Sequence, residues 1–327
     1  MSRLSQPLVQ VGGAALLTVG WVTVSLLGLH FDTVATVAIS GLAVLGASFL
    51  LAATGWAFFV PLGDGIGVLD TVLLVGLYVA YIGLVLKSGV EQSDHTVGVP
   101  KYFQAWSLPW RPLVVLALFG YSGTMIFTAG EPFAHGLAEI GLTLGIPSFF
   151  MIQWIAPLAS ESPELVVVAV LVNKARSTAG FNALISSKLN QWTLLIGTIA
   201  VIYSIALGSV GTLPFDARQD AEIWITAGQS LFALALLCNF EISIREAVVL
   251  FVLFISQVLV EFALIREYVV LPITSQELLY GYTALYLVLA VGILAARRRS
   301  LLDLLGLAGD AVRTAVGREP VHEEMVD

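Results

Sequence analysis

Residues 157–164 read PLASESPE, inside a run that is otherwise apolar from 146 to 173. Two carboxylates and two prolines stand where a lipid-spanning helix should carry neither. An ionisable side chain at membrane depth is costly, rarely faces lipid and marks a functional site by default. Proline removes a backbone donor and kinks or breaks the helix around it. A carbonyl freed at that depth is tolerated only against protein or a water-filled cavity. The octapeptide therefore reads as a polar pocket in the middle of a membrane.

The rest of the chain supplies the membrane. Of its 327 residues, 58% are hydrophobic and only 12% charged, with a mean hydropathy of +0.92; a soluble domain has about a quarter charged residues. The apolar runs are long and continuous, unlike the alternating segments of about ten residues that build a β-barrel. The expected fold is all-α, a polytopic transmembrane helix bundle. A span needs about 20 apolar residues, which gives nine candidates, at 8–29, 34–61, 67–87, 112–130, 147–172, 181–208, 222–239, 246–265 and 275–296. Residues 131–146 form an amphipathic stretch suited to the interface. The longest loop, 88–111, carries Trp106 and Trp110, which suit a membrane interface. The first apolar run lacks a small-residue cleavage pattern and reads as a retained span. A net charge of −8 fits either exposed-loop solubility or adaptation to high salt, and nothing is basic enough for nucleic acid. The single cysteine, Cys238, excludes an internal disulfide.

Lys and Arg in short loops set orientation. Arg297, Arg298 and Arg299 follow the last span and place the C-terminus in the cytoplasm. Counting back, Lys174 and Arg176, and Lys87, Lys101 and Arg111, fall inside. The loops holding Asp216, Asp220 and Glu222, and Glu131 and Glu139, fall outside. Nine spans then put the N-terminus outside. The expected setting is a multi-pass protein of the cell membrane, with the lipid bilayer and inorganic cations as its partners and no nucleic acid.

The fifth and sixth spans form a hairpin, and both are polar near mid-depth. The fifth carries Gln153, Ser160, Glu161, Ser162 and Glu164; the sixth carries Ser186, Ser187, Lys188, Asn190, Gln191 and Thr193. Helical spacing puts Ser186, Asn190 and Thr193 on one face and Ser187 and Gln191 on the neighbouring row. Glu161 and Glu164 share a face if the backbone stays helical across Pro163. Carboxylates, hydroxyls, an amide and freed carbonyls suit a hard cation such as Na⁺ or Ca²⁺, and the absence of His and Cys argues against zinc or copper. A buried carboxylate also exchanges protons readily. The candidate cation ligands are Glu164, Glu161, Ser160, Ser162, Asn190, Ser187 and Ser186, with Lys188 and Gln191 modulating them. Ser, Thr, Asn and Gln also glue helices together in membranes, so the hydroxyls have that competing role. Lys188 neutralises a nearby glutamate, either as a purely structural pair or as a proton-coupled gate. Gln229 and Gln257 read as helix glue, with lining of the same cavity as the alternative, Glu131 and Glu261 as solvated acids near span ends, and His135 as interfacial. No phosphate loop, zinc motif or Ser-His-Asp arrangement is visible. Ser187 and Lys188 are adjacent and diverge on a helix, so a hydrolytic dyad and an enzymatic role are set aside.

Between 111 and 264 the chain resembles the cation/calcium exchanger superfamily, the sodium/calcium antiporters. ASESPE, residues 159–164, looks like the GTSxPE-like turn of that family's alpha repeat, and SSKLN, residues 186–190, like its GSNxxN-like segment. The APLASESPE turn and the SSKLNQWTLL segment are similar to a prokaryotic branch. The resemblance implies secondary antiport through a midplane site built by two inverted repeats. It assigns Glu164 to the acidic ligand, Ser160 and Ser162 to the hydroxyl-bearing turn and Asn190 to the amide. Lys188 stands where many exchangers have asparagine. The first repeat departs further: residues 40–59 look like its lead-in and 63–84 like its last span, with no acidic hairpin between them.

Three regions follow: a shortened N-terminal half of about three spans at 1–110, an exchanger membrane region with the alpha repeat at 111–299, and an acidic tail at 300–327, which itself could form a surface amphipathic helix. The expected function is exchange of Ca²⁺ against Na⁺ or H⁺ by alternating access, with the transported cation as cargo and no resident cofactor. The alternative is a degenerate subunit or scaffold without independent transport. A second copy or a separate chain would supply the absent repeat.

Overall fold

The computed structural model describes residues 35–36, 41–87, 99–107, 110–146, 151, 155–174, 177–269 and 272–315. Two compact units divide the chain, one made of residues 1–88 and 157–327, the other of 89–156.

The first unit begins with a two-residue strand, β1 (Ala35–Thr36), and the helix α1 (Gly41–Ala57). Nothing along α1 is charged, and a helix apolar all round belongs in the interior. Accordingly Val44, Leu45, Leu50 and Ala53 are buried in the main core. A 3₁₀ turn and the strand β2 (Gly65–Ile66) lead directly to α2 (Val68–Lys87). Asp70 organises this join: its carboxylate accepts from Trp56 Nε1 at 2.9 Å and from the Gly67 amide at 2.9 Å. Residues 58–67 are the whole connection, so no helical hairpin intervenes between α1 and α2.

The second unit contains the short helix α3 (Val99–Gln104) and the long helix α4 (Trp110–Thr143). Helix α4 continues through Pro132 to Thr143. The stretch at 131–146, expected to lie apart at the interface, therefore extends the preceding span through Thr143, because one proline does not end a helix whose flanking residues favour it. Part of the 88–111 loop, at Val99–Gln104, is also helical.

The first unit resumes with α5 (Ala156–Asn173) and α6 (Ser177–Asn190). A π-helical segment, Gln191–Leu195, joins α6 without a break to α7 (Ile196–Leu207). The strand β3 (Leu213–Pro214) pairs antiparallel with β2, with Gly65 opposite Pro214. Gly65 has φ +125°, and a Cβ there would lie 2.0 Å from the Leu213 carbonyl oxygen, so only glycine fits. Three helices follow: α8 (Ala217–Leu237), α9 (Ile244–Ile265) and α10 (Ser275–Ala296). Each starts with a complete capping box, Asp216 with Gln219, Ser243 with Glu246 and Thr274 with Glu277, which satisfies the otherwise orphaned amides of the first turn. Before α9, β4 (Glu241–Ile242) pairs antiparallel with β1. The last helix, α11 (Arg298–Ala315), packs on α1 and α2 and buries Leu304.

Helix α8 is the centre of this unit. It packs against α10, against α1 and against the 3₁₀ turn. Buried Thr54 and Ser230 share a hydrogen bond of 2.8 Å between α1 and α8. Alongside, α2 packs on α7, where Thr71 donates to the Gly197 carbonyl at 2.9 Å.

The fold is the expected all-α membrane bundle. Among the described residues six helical stretches are long and apolar enough to cross a membrane: Leu42–Leu62, Val68–Lys87, Trp110–Thr143, Thr178–Leu207, Ile244–Ile265 and Ser275–Ala296. Nine were expected. Of the other three, 8–29 lies outside the described residues, and the remaining two correspond to α5 and α8, helices that carry buried or paired acids.

Candidate cation site

Two helices supply the site, α5 and α6. Helix α5 runs through Pro163 without a break, which corrects the expectation of a broken fifth helix. Pro157 falls in the first turn, where a missing N–H is tolerated. Pro163 costs one intrahelical bond and leaves the carbonyl of residue 159 without its amide partner. Helix α6 comes close to α5 at Gly180, where an added Cβ would touch Val168 at 3.4 Å and Val172 at 3.5 Å.

This approach pairs the acids of α5 with residues of α6. Ser187 Oγ donates to Glu164 Oε2 at 2.6 Å. Lys188 Nζ donates to Glu161 Oε2 at 2.9 Å and to Gln191 Oε1 at 2.6 Å. Lys188 is 0% exposed and Glu161 12%, so the ion pair is nearly dry. A charge so placed persists only when paired and hydrogen-bonded. Glu164 is exposed. Together with Ser187, Pro163, Val167, Val168, Ala183 and Leu184 it lines an open groove of about 310 Å³.

The other expected ligands sit elsewhere. Ser186 turns toward α2 and shares a 3.0 Å hydrogen bond with Tyr81. Asn190 and Ser162 are exposed. Thr193 is buried and bonded to the Leu189 carbonyl. Ser186, Asn190 and Thr193 do not share one face because the π segment follows Asn190 directly, and its i→i+5 bonding rotates every later residue off the 3.6-residue row. The side chain of Ser160 and the whole of Gln153 lie outside the described residues. What the structure brings together is one acid bound to a hydroxyl, Glu164 with Ser187, beside one acid neutralised by a lysine. Among the described residues no group of three or more His, Cys, Asp or Glu could hold a metal ion, so oxygens of hydroxyls and carbonyls would have to complete any shell around Glu164.

Two acids depart from their sequence reading. Glu261, expected to be solvated near a span end, is fully buried, and Glu222, expected in an outer loop, is buried in α8. Arg218, two residues into α8, lies over both and contacts each. The glutamines read as helix glue, Gln229 and Gln257, bond to each other at 2.8 Å, and Gln257 extends to Glu261 at 3.4 Å. Spacing held the clue: Glu222 and Gln229 are i, i+7 and Gln257 and Glu261 are i, i+4, one polar row on each of two facing helices.

The fold defines a multi-pass membrane protein of transporter type. The sodium/calcium exchanger protein family matches residues 114–263. A crystal structure of an H⁺/Ca²⁺ exchanger, CAX, is similar at 38% sequence identity with a TM-score of 0.81, covering 94% of this chain and 75% of that one. Comparison with curated protein sequences finds none that matches. The chain belongs to the cation/calcium exchanger superfamily, whose members are transporters and not enzymes.

Proposed function

We propose that this exchanger moves Ca²⁺ across the membrane against H⁺ by alternating access, with Glu164 as the carboxylate that meets the cation. The observation that carries the reading is the Glu164–Ser187 pair on the wall of an open groove. Hard cations take carboxylate, hydroxyl and carbonyl oxygens; the groove lining supplies one carboxylate, Glu164, and one hydroxyl, Ser187. Ser187 would turn its hydroxyl lone pairs toward an arriving cation and release its hydrogen bond. The carbonyl left free by Pro163 is a further oxygen of the same helix. Lys188 and Glu161, a buried titratable pair, give a proton counter-ion groups in the hairpin to act on. The similarity to an H⁺/Ca²⁺ exchanger points the same way. Orientation follows the arginines after α10, with the C-terminus cytoplasmic and the N-terminus outside.

One observation favours a second reading, a subunit or scaffold that does not transport alone. Residues 58–67 join α1 to α2 with no acidic hairpin between them, so the α5–α6 hairpin has no counterpart there within the described residues. A second copy or a separate chain would then complete the site. Purified protein in sealed vesicles separates the readings. Ca²⁺ uptake driven by an imposed pH gradient, and absent with a Na⁺ gradient alone, supports proton-coupled exchange. Uptake driven only by Na⁺ overturns the choice of counter-ion, and no uptake under either gradient supports the subunit reading.

A further inference from the structure

A second polar cluster joins α8, α9 and α10, and none of its residues belongs to the α5–α6 hairpin. Glu222 on α8 and Glu261 on α9 are 1% and 0% exposed. Both use the same cation. Arg218 Nε donates to Glu222 Oε1 at 3.4 Å, and Arg218 Nη2 donates to Glu261 Oε1 at 3.3 Å. The Arg218 side chain is 33% exposed, so it forms the solvent end of an otherwise buried group.

Two carboxylates against one guanidinium leave an excess negative charge inside the protein, and an uncompensated buried charge is strongly destabilising. Among the described residues the charged groups around Glu222 do not relieve it. They are Arg218 and Asp216 at its own helix end and Glu261 on α9. Helix α1, packed on α8, has no charge along its length. Glu277, in the first turn of α10, is exposed and accepts from the Thr274 amide and hydroxyl. Like charges sharing one site settle the conflict by holding a proton on one of them.

Hydrogen-bond donors tell the two acids apart. Glu261 Oε1 accepts from Arg218 and from Ser275 Oγ at 3.4 Å, and Glu261 Oε2 accepts from Gln257 Nε2 at 3.4 Å. Gln229 donates to Gln257 Oε1 at 2.8 Å, which holds that amide with its NH₂ toward Glu261. Glu261 thus has donors on both oxygens, as a carboxylate requires. Glu222 has the Arg218 contact on Oε1, while its Oε2 is buried with no hydrogen-bond partner among the described residues. A neutral acid tolerates such a position far better than a carboxylate does.

We propose that Glu222 is a proton-binding site: it carries one exchangeable proton at neutral pH, with Glu261 ionised as the standing counter-ion of Arg218. Release breaks the Oε2–H bond, passes H⁺ to water at the exposed side of Arg218 and leaves the electron pair on a carboxylate that the guanidinium then serves. Binding is the reverse. The site stands apart from the Glu164 groove, so it does not rest on the cation reading.

Infrared difference spectroscopy of the full chain in lipid, titrated over pH in H₂O and D₂O without any ion gradient, tests the assignment. Wild type should show a deuterium-sensitive protonated-carboxyl band at neutral pH, lost in Glu222→Gln. In Glu222→Asp, which carries the test if the glutamine variant does not fold, the band should persist at a shifted frequency. Thermal stability should be unchanged in Glu222→Gln and clearly lowered in Glu261→Gln, which strips Arg218 of its ionised partner. A wild type with no such band at neutral pH, a band unaltered by either Glu222 substitution, or the opposite order of stabilities overturns the proposal. Because no transport is measured, failure here leaves the exchange reading untouched, and failure of exchange leaves this one untouched.

Discussion

Ser187 and Glu164, 23 residues apart in sequence, are joined by a 2.6 Å hydrogen bond from hydroxyl to carboxylate. That length lies in the range of charge-assisted O–H···O bonds, and it ties α5 to α6 at the wall of the groove. One position along α6, Lys188 meets Glu161 in a nearly dry ion pair. The hairpin therefore has two levels of different character, one open with a single carboxylate and hydroxyl among apolar side chains, one closed and neutralised. The closed level links the two helices by an ion pair, while Glu164 at the open level stays exposed.

Removing the hydroxyl should weaken the cation site without unfolding it. Ser187→Ala is expected to raise the Ca²⁺ concentration for half-maximal uptake by about fivefold, roughly 1 kcal/mol for one hydrogen bond. Ser187→Thr, which keeps the oxygen, should stay near wild type. Vesicle uptake as a function of Ca²⁺ measures both, and equal responses of the two variants would contradict a ligand role for the hydroxyl.

Breaking the closed level should cost stability. Glu161→Gln leaves Lys188 buried and unneutralised, which for a buried pair costs about 3–5 kcal/mol. Adding Lys188→Met should restore most of the loss, because replacing both partners removes the stranded charge. Thermal unfolding of the two variants in one detergent reads the effect. If the double variant is no more stable than the single one, the ion pair is not what holds the hairpin.

The turn between α1 and α2 should reject any side chain at position 65. In Gly65→Ala a methyl group meets the Leu213 carbonyl, at a backbone angle that side chains rarely adopt. A loss of at least about 1–3 kcal/mol is expected from the backbone strain alone, read as a lowered Tm. An unchanged Tm would show that the β2–β3 pair is dispensable.

Cutting the glutamine chain should be felt in stability and not in cation affinity. Gln257→Leu strands the Gln229 amide and removes a donor from Glu261, for about 1–3 kcal/mol. The Ca²⁺ dependence of uptake should not move. A shift in that dependence with stability unchanged would place Gln257 on the cation path.

Much of this architecture is legible in the sequence because lipid imposes one rule on every span. Long apolar runs marked α1, α2, α4, α6 with α7, α9 and α10, and the acids of PLASESPE marked the hairpin. What escaped has local causes. Pro163 suggested a break, yet one lost hydrogen bond is tolerated in a helix with intact turns on both sides. The face shared by Ser186 and Asn190 does not reach Thr193, since a π segment leaves no mark in composition. Glu222 and Glu261 looked solvated because hydropathy places them near span ends; Arg218 and the neighbouring helices bury them there, a tertiary effect that no single helix reveals. Tyr81 as the partner of Ser186 needed the packing of α2 beside α6.

Whether Glu164 meets the transported cation is decided by Ca²⁺ uptake of Glu164→Gln in sealed vesicles under an inward-directed Ca²⁺ and outward-directed proton gradient. Glu164 is exposed and bonded to Ser187, so the variant should fold with the Tm of wild type. Gradient-driven uptake should fall to the level of empty vesicles. Uptake by the folded variant at the wild-type rate and Ca²⁺ dependence would contradict it.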